Sequence, residues 1–160
     1  MRFSYILIAL IASIAVAEKY AMVMGGADKW TNYSITSEPC RVWSDLVAAG
    51  IKPENIIFIG FKTNLNYAIN PFKGMIFTDS ADNTDGDWAK FGCFEHIDYT
   101  GDNVNAEVFL GILSGNAEKV KEKTGIENPK VLAAGPEDTV FTYFIDHGDE
   151  GFISVGTNYV

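Results

Sequence analysis

Three apolar runs limit what this chain can fold into: KYAMVMGG (19–26), NIIFIGF (55–61) and TVFTYFI (139–145). None shows the in-out alternation of a strand with one wet face. Near-continuous apolar strands are buried on both sides, which is the habit of parallel sheets covered by helices. Parallel neighbours cannot be joined by a tight turn and need a crossover, usually a helix. The segment between the first two runs supplies one. Val42, Trp43, Leu46 and Val47 recur at helical spacing, Ser37 is placed to cap the helix, Pro39 fits its first turn, and Gly50 ends it. The expectation is an α/β fold.

The rest of the chain is consistent with one domain of 160 residues. From 62 to 99 the pattern is weak and reads as loop and short strand. NAEVFLGILSG (105–115) restores helical periodicity through Val108, Phe109, Ile112 and Leu113, and NAEKVKEKTG (116–125) is a charged continuation or a second short helix. Hydrophobic residues make up 48% of the sequence and charged residues 21%, enough for a real core and against disorder. A formal net charge of −9 argues against a nucleic-acid partner, which needs a basic patch. The first 17 residues read as a secretory signal peptide. Arg2 gives the charge, YILIALIASIAV the apolar segment and Ala15-Val16-Ala17 the cleavage site. The apolar run is shorter than the roughly 18–20 residues of a membrane span, and no other segment is apolar enough to cross a bilayer after cleavage. The secretory route permits a disulfide between Cys40 and Cys93, but their spacing does not require one, and two buried thiols are expected.

No cofactor or metal is expected. The acidic stretch 79–87 has the look of a calcium loop, but counting from Gly86 places Ala81 at the first ligand position and Gly92 where a bidentate Glu belongs. A solvated turn fits better. His96 and the methionines read as structural. His147 differs, because it follows an apolar strand at its carboxyl end, where open α/β sheets place their sites. It is either a general base or a solvent-facing turn histidine. Gly148 beside it would let backbone approach a substrate and offer an N–H to an oxyanion.

The wording around His147, GPEDTVFTYFIDHG, resembles the histidine segment of the legumain family, the asparaginyl endopeptidases. WTNYSITSEPC (30–40), GIKPENIIFI (50–59), NPFKG (70–74) and DYTGDNVNAEVFLGILSGNAEKV (98–120) resemble further family segments in the same order. The likeness covers nearly all of 18–160, a partial legumain-like peptidase domain. It implies a caspase-like parallel sheet flanked by helices, truncated after the strand that carries the catalytic histidine. It implies a cysteine-type endopeptidase acting on peptide or protein substrates, with His147 as acid/base, Asn32 orienting its imidazole, Gly148 an oxyanion donor and Asp146 lining the same turn. A lysosomal or vacuolar setting, or secretion, goes with it. The catalytic subunit of the glycosylphosphatidylinositol transamidase shares the Asn-Tyr loop, but its histidine segment reads Gly-His-Gly, whereas this chain has Asp146-His147-Gly148.

Two departures stand out. The family places its nucleophilic cysteine after the next strand, and this sequence ends at Val160 with no such residue, so the chain is expected to be inactive alone. Cys40 matches a non-catalytic family position. After Asn-Tyr the family carries Arg-His, the arginine helping to bind the substrate asparagine. Here Ser34 and Ile35 follow, which weakens that recognition. The change makes Asn32-Tyr33-Ser34 an N-glycosylation sequon, and a glycan there would cover the site. The reading beside a peptidase is therefore a secreted pseudo-peptidase, a binding or decoy protein for an inhibitor or an active peptidase. The 139–145 strand, internal in the family, would be left as an exposed apolar edge prone to aggregation.

Overall fold

A parallel three-stranded sheet forms the centre of the computed structural model, which describes residues 17–77, 93–156 and 158–159. Residues 1–16, most of the expected signal peptide, and the acidic stretch 79–87 lie outside the described residues. Strand β1 (Lys19–Gly25) lies between β2 (Ile56–Ile59) and β3 (Thr139–Ile145), giving the order β2-β1-β3. Both pairings are parallel, with Met24 opposite Ile59 and Phe144. Helix α1 (Tyr33–Ala48) makes the crossover from β1 to β2.

The strand period of two sorts the side chains into two cores. Met22, Met24, Ile57 and Ile59 face α2 (Ala106–Leu113) and α3 (Ala117–Thr124), packing with Val108, Phe109, Ile112 and Val120. Ala21, Val23, Ile56 and Phe58 face α1, packing with Cys40 and Trp43 and with Ile76 and Phe94 from the connecting segment. Helices therefore cover both faces, as uninterrupted apolar strands require. Asn105 caps α2 by accepting from the Val108 N–H at 3.0 Å, and Asn116 caps α3 by accepting from the Lys119 N–H at 3.0 Å. The charged continuation is thus a separate helix. Leu113, expected on the buried face, is exposed, because α2 ends there and the chain turns at Gly115.

Helix α1 begins a turn earlier than Ser37. Asn32 occupies the cap position, and Pro39 lies inside the helix. Pro39 has no N–H for the Ile35 carbonyl, which instead lies against Gly25; a Cβ on Gly25 would run into that carbonyl and stand 2.9 Å from the Pro39 ring. The glycine at the end of β1 lets the helix start come this close. No strand forms within the described part of 62–99, which holds 3₁₀ turns at Thr63–Asn66 and Cys93–His96 and a single bridge from Ile59 to Tyr99.

Cys40 and Cys93 are not free thiols: they form a disulfide with Cα atoms 5.5 Å apart, both side chains buried. The link ties α1 to the 3₁₀ turn that carries Phe94, a contact between segments that spacing alone could not reveal. Beyond β3 the chain forms antiparallel strands β4 (Gly148–Asp149), β5 (Phe152–Val155) and β6 (Asn158–Tyr159). Among the described residues β3 has a partner on one side only, and Val140 and Phe141 are 41% and 44% exposed.

Closing the 53-residue separation between the cysteines restricts the unfolded chain by about 4 kcal/mol in the loop-entropy account. Cys40→Ala/Cys93→Ala should therefore lose about 2–4 kcal/mol of unfolding free energy in a urea titration, with the fold retained. An unchanged midpoint would contradict a structural role for the bridge.

Candidate functional site

The carboxyl ends of β1 and β3 are neighbours, since Gly25 stands opposite Ile145. The ladder runs one step further, with the Gly26 N–H donating to the Ile145 carbonyl at 2.9 Å. The loops leaving the two strands therefore start side by side. One leads to Asn32, the other reaches Asp146 and His147 at once. Two residues 115 positions apart meet: His147 Nε2 lies 2.9 Å from Asn32 Oδ1.

The partners of Asn32 fix the proton. Its Nδ2 donates to the Asp28 carbonyl at 2.8 Å. The oxygen is left facing the imidazole and can only accept, so Nε2 of a neutral ring carries the hydrogen and Nδ1 keeps its lone pair. The arrangement sacrifices a helix cap. Asn32 sits at the cap of α1 but makes no side-chain capping bond, an interaction typically worth about 1 kcal/mol.

The loop that holds Asn32 is held in turn. Lys29 has φ 74° and ψ 163°, a region that only glycine visits freely. Its carbonyl accepts from the Asn32 N–H at 3.0 Å and from Asn64 Nδ2 at 3.1 Å. Asn64, wholly buried, also donates to Thr36 Oγ1 at 2.9 Å, and Thr63 Oγ1 bonds the Asp28 carboxylate. The Thr63–Asn64 pair thus clamps the loop in its strained form. Sequence reasoning missed Asp28, Lys29, Thr63 and Asn64; the contacts between the two loops join residues 28 to 35 positions apart, and those to the Asp28 and Lys29 carbonyls carry no residue-type signature.

Asp146 fastens the other loop. Its Oδ1 accepts from the His147 N–H at 2.7 Å and its Oδ2 from the Gly156 N–H at 3.2 Å, tying the end of β3 to the end of β5. A Cβ on Gly26 would overlap the Asp146 carboxylate, so this glycine leaves the space that the carboxylate fills. Burial raises the Asp146 pKa above its ordinary 3.8, opposed by the two N–H groups and the charge of His147.

Asn32, Asp146 and His147 line a cleft of about 1010 Å³, together with Phe61, Thr100 and Ser154. Its charged lining includes Lys29, Lys62, Asp28 and Asp102. Gly148 is exposed and is not part of the lining. The Ser154 N–H donates to the His147 carbonyl at 2.9 Å, so the alternation of an antiparallel pair turns the Gly148 N–H away from β5. Its lack of a side chain has a steric reason as well, as a Cβ there would stand 3.1 Å from the Phe152 carbonyl. Neither Ser34 nor Ile35 lines the cleft: Ser34 faces solvent and Ile35 is buried. No cluster of His, Cys, Asp or Glu among the described residues suits a metal ion, and no helix there is long and apolar enough to cross a membrane.

A helix-covered parallel sheet with a His–Asn pair at its carboxyl ends defines an α/β protein with an enzyme-like site. The Peptidase C13 family model matches residues 19–160, and the chain belongs to that family. It is 37% identical to a hemoglobinase of Schistosoma mansoni over 136 residues, covering 85% of this chain and 28% of the relative. It is 33% identical to the legumain of Bos taurus over 134 residues, covering 84% and 29%. A vacuolar-processing enzyme beta-isozyme of Arabidopsis thaliana is 31% identical over 140 residues, covering 88% and 27%. The chain thus spans under a third of the length of the curated relatives it matches. Membership in this family accords with a caspase-like arrangement of the parallel sheet and its helices.

Two measurements check this geometry. Lys29→Gly removes about 1–3 kcal/mol of backbone strain at a glycine entropy cost of about 0.5–1, so thermal unfolding should show a gain of about 1 kcal/mol. A loss would mean that the Lys29 side chain matters more than its backbone. For Asp146 the folded-state pKa is raised, so the ionised carboxylate disfavours the folded state. Its contribution is most favourable below pH 3.8 and declines as pH climbs through the raised value. Unfolding free energies measured across that window should show this slope relative to Asp146→Asn; a parallel pair of curves would refute it.

Proposed function

We propose that this chain carries the histidine half of a legumain-like cysteine endopeptidase site. His147 is the acid/base residue, Asn32 orients its ring, Gly148 offers its N–H to the oxyanion, and Asp146 fixes the turn. The observation that carries the reading is the 2.9 Å contact between His147 Nε2 and Asn32 Oδ1. With Nε2 engaged, Nδ1 is the nitrogen free to take a proton from a thiol and later return it to the leaving amine. Attack of the thiolate on the scissile carbonyl would place negative charge on oxygen, where backbone N–H groups stabilise it.

The thiol itself is not among these 160 residues. The sequence has two cysteines, and both are consumed in the Cys40–Cys93 bridge. A complete site needs a cysteine contributed from outside this sequence. Peptide or protein substrates follow from the family. The leader and the disulfide suit a secretory route to a lysosome-like or vacuolar compartment, or outside the cell. In this reading residues 1–17 are the signal peptide and 18–160 part of the peptidase domain.

A second reading is a pseudo-peptidase that binds an inhibitor or an active relative. The positions of Ser34 and Ile35 favour it, because among the described residues no arginine side chain lines the cleft to hold a substrate asparagine. The coding sequence downstream of the Val160 codon decides between the two. If the frame continues to a cysteine, the longer protein should cleave peptides after asparagine, and His147→Ala should lower kcat/KM by about 10²–10⁴. Asn32→Ala should lower it less. A stop codon at that point, with no cleavage under reducing conditions, would sink the peptidase reading.

A further inference from the structure

Asn32 is at once the partner of His147 and the acceptor position of the sequon Asn32-Tyr33-Ser34. We propose that Asn32 is an N-glycan acceptor, and that its modification excludes the Asn32–His147 pair and so forms a covalent off-state of this site. The off-state rests on the function proposed above; the exclusion rests on geometry alone.

N-glycosylation joins C1 of a sugar to Nδ2. The C1–O bond to a polyprenyl diphosphate carrier breaks, the diphosphate departs, and Nδ2 loses one proton. The product is a secondary amide, which prefers the trans form. In a trans secondary amide the remaining N–H points away from the carbonyl oxygen, and the substituent lies on the same side as that oxygen. The sugar therefore emerges beside Oδ1, the atom that lies 2.9 Å from His147 Nε2. One N–H remains on Nδ2, the atom that donates to the Asp28 carbonyl in the unmodified chain. A sugar on Nδ2 and the His147 ring therefore compete for the space around Oδ1, which is the basis of the proposed exclusion.

The surroundings accommodate a sugar. Asn32 borders the open cleft of about 1010 Å³, so the first sugar units have space without displacing the core. Ser34, which completes the sequon, is exposed on the first turn of α1. Order along the chain favours transfer before the pair can form. The acceptor precedes His147 by 115 residues, so a nascent chain presents Asn32 while the competing imidazole is still unsynthesised.

The test is to express the whole chain in secreting eukaryotic cells and measure the mass of the product and of its Asn32 peptide. The expected result is a glycan-sized mass increment on Asn32. Peptide-N-glycosidase should remove it, converting the acceptor asparagine to an aspartate by that hydrolysis, and Ser34→Ala should abolish it while keeping Asn32. NMR of the His147 ring should show the Nε2–H tautomer in the Ser34→Ala chain and lose it in the glycosylated one. An unmodified Asn32 overturns the proposal, whether or not the chain enters the secretory route. A glycan with the same ring signature in both forms overturns the exclusion. Failure of the peptidase reading would appear separately, as an intact His147 signature in Ser34→Ala with no cleavage by any longer form.

Discussion

The parallel pairing of β1 with β3 is the constraint on which the site depends. It sets Gly25 opposite Ile145 and, through the Gly26 N–H, starts both functional loops from neighbouring positions. A parallel sheet points all its carboxyl ends the same way, so residues far apart in sequence meet without any local signal linking them. The glycine pair closing β1 is fitted to this junction from two sides. Gly25 admits the start of α1, which carries Asn32, and Gly26 admits the Asp146 carboxylate. A side chain at either would push apart the elements that hold the site.

The site is held at visible local cost. Lys29 adopts a backbone conformation natural to glycine, Asn32 gives up its capping bond, and Asp146 is partly buried as a carboxylate. Each lies within a few residues of the His–Asn contact. Strain and unmet local preference persist where surrounding structure over-determines them. Here the over-determination comes from the loop after β2, where Asn64 and Thr63 bind the β1 loop, and from Gly156, which binds Asp146.

Much of the fold was legible because its cause is compositional. Three uninterrupted apolar runs with an intervening helix period imply a buried parallel sheet, and the cores on its two faces follow from alternation along β1 and β2. The start of α1 was misread because Pro39 suits a first turn on local rules, while packing of the Ile35 carbonyl over Gly25 tolerates it in the interior. The disulfide was missed because its two cysteines are joined by proximity across the α1 face, which spacing does not encode. The hairpin after His147 was not anticipated; its strands are two to four residues long, too short to show a period.

The sequence by itself determined the fold class, the family likeness and the candidates His147 and Asn32, because apolar periodicity and motif wording are written along the chain. Tertiary structure alone decided that these two touch, which ring nitrogen faces the amide, that Cys40 and Cys93 are joined, and that Ser34 and Ile35 stay out of the cleft. The physical reason is the same in each case. These are relations between segments distant in sequence, fixed by strand register and close packing, and neither is a property of any single stretch of residues.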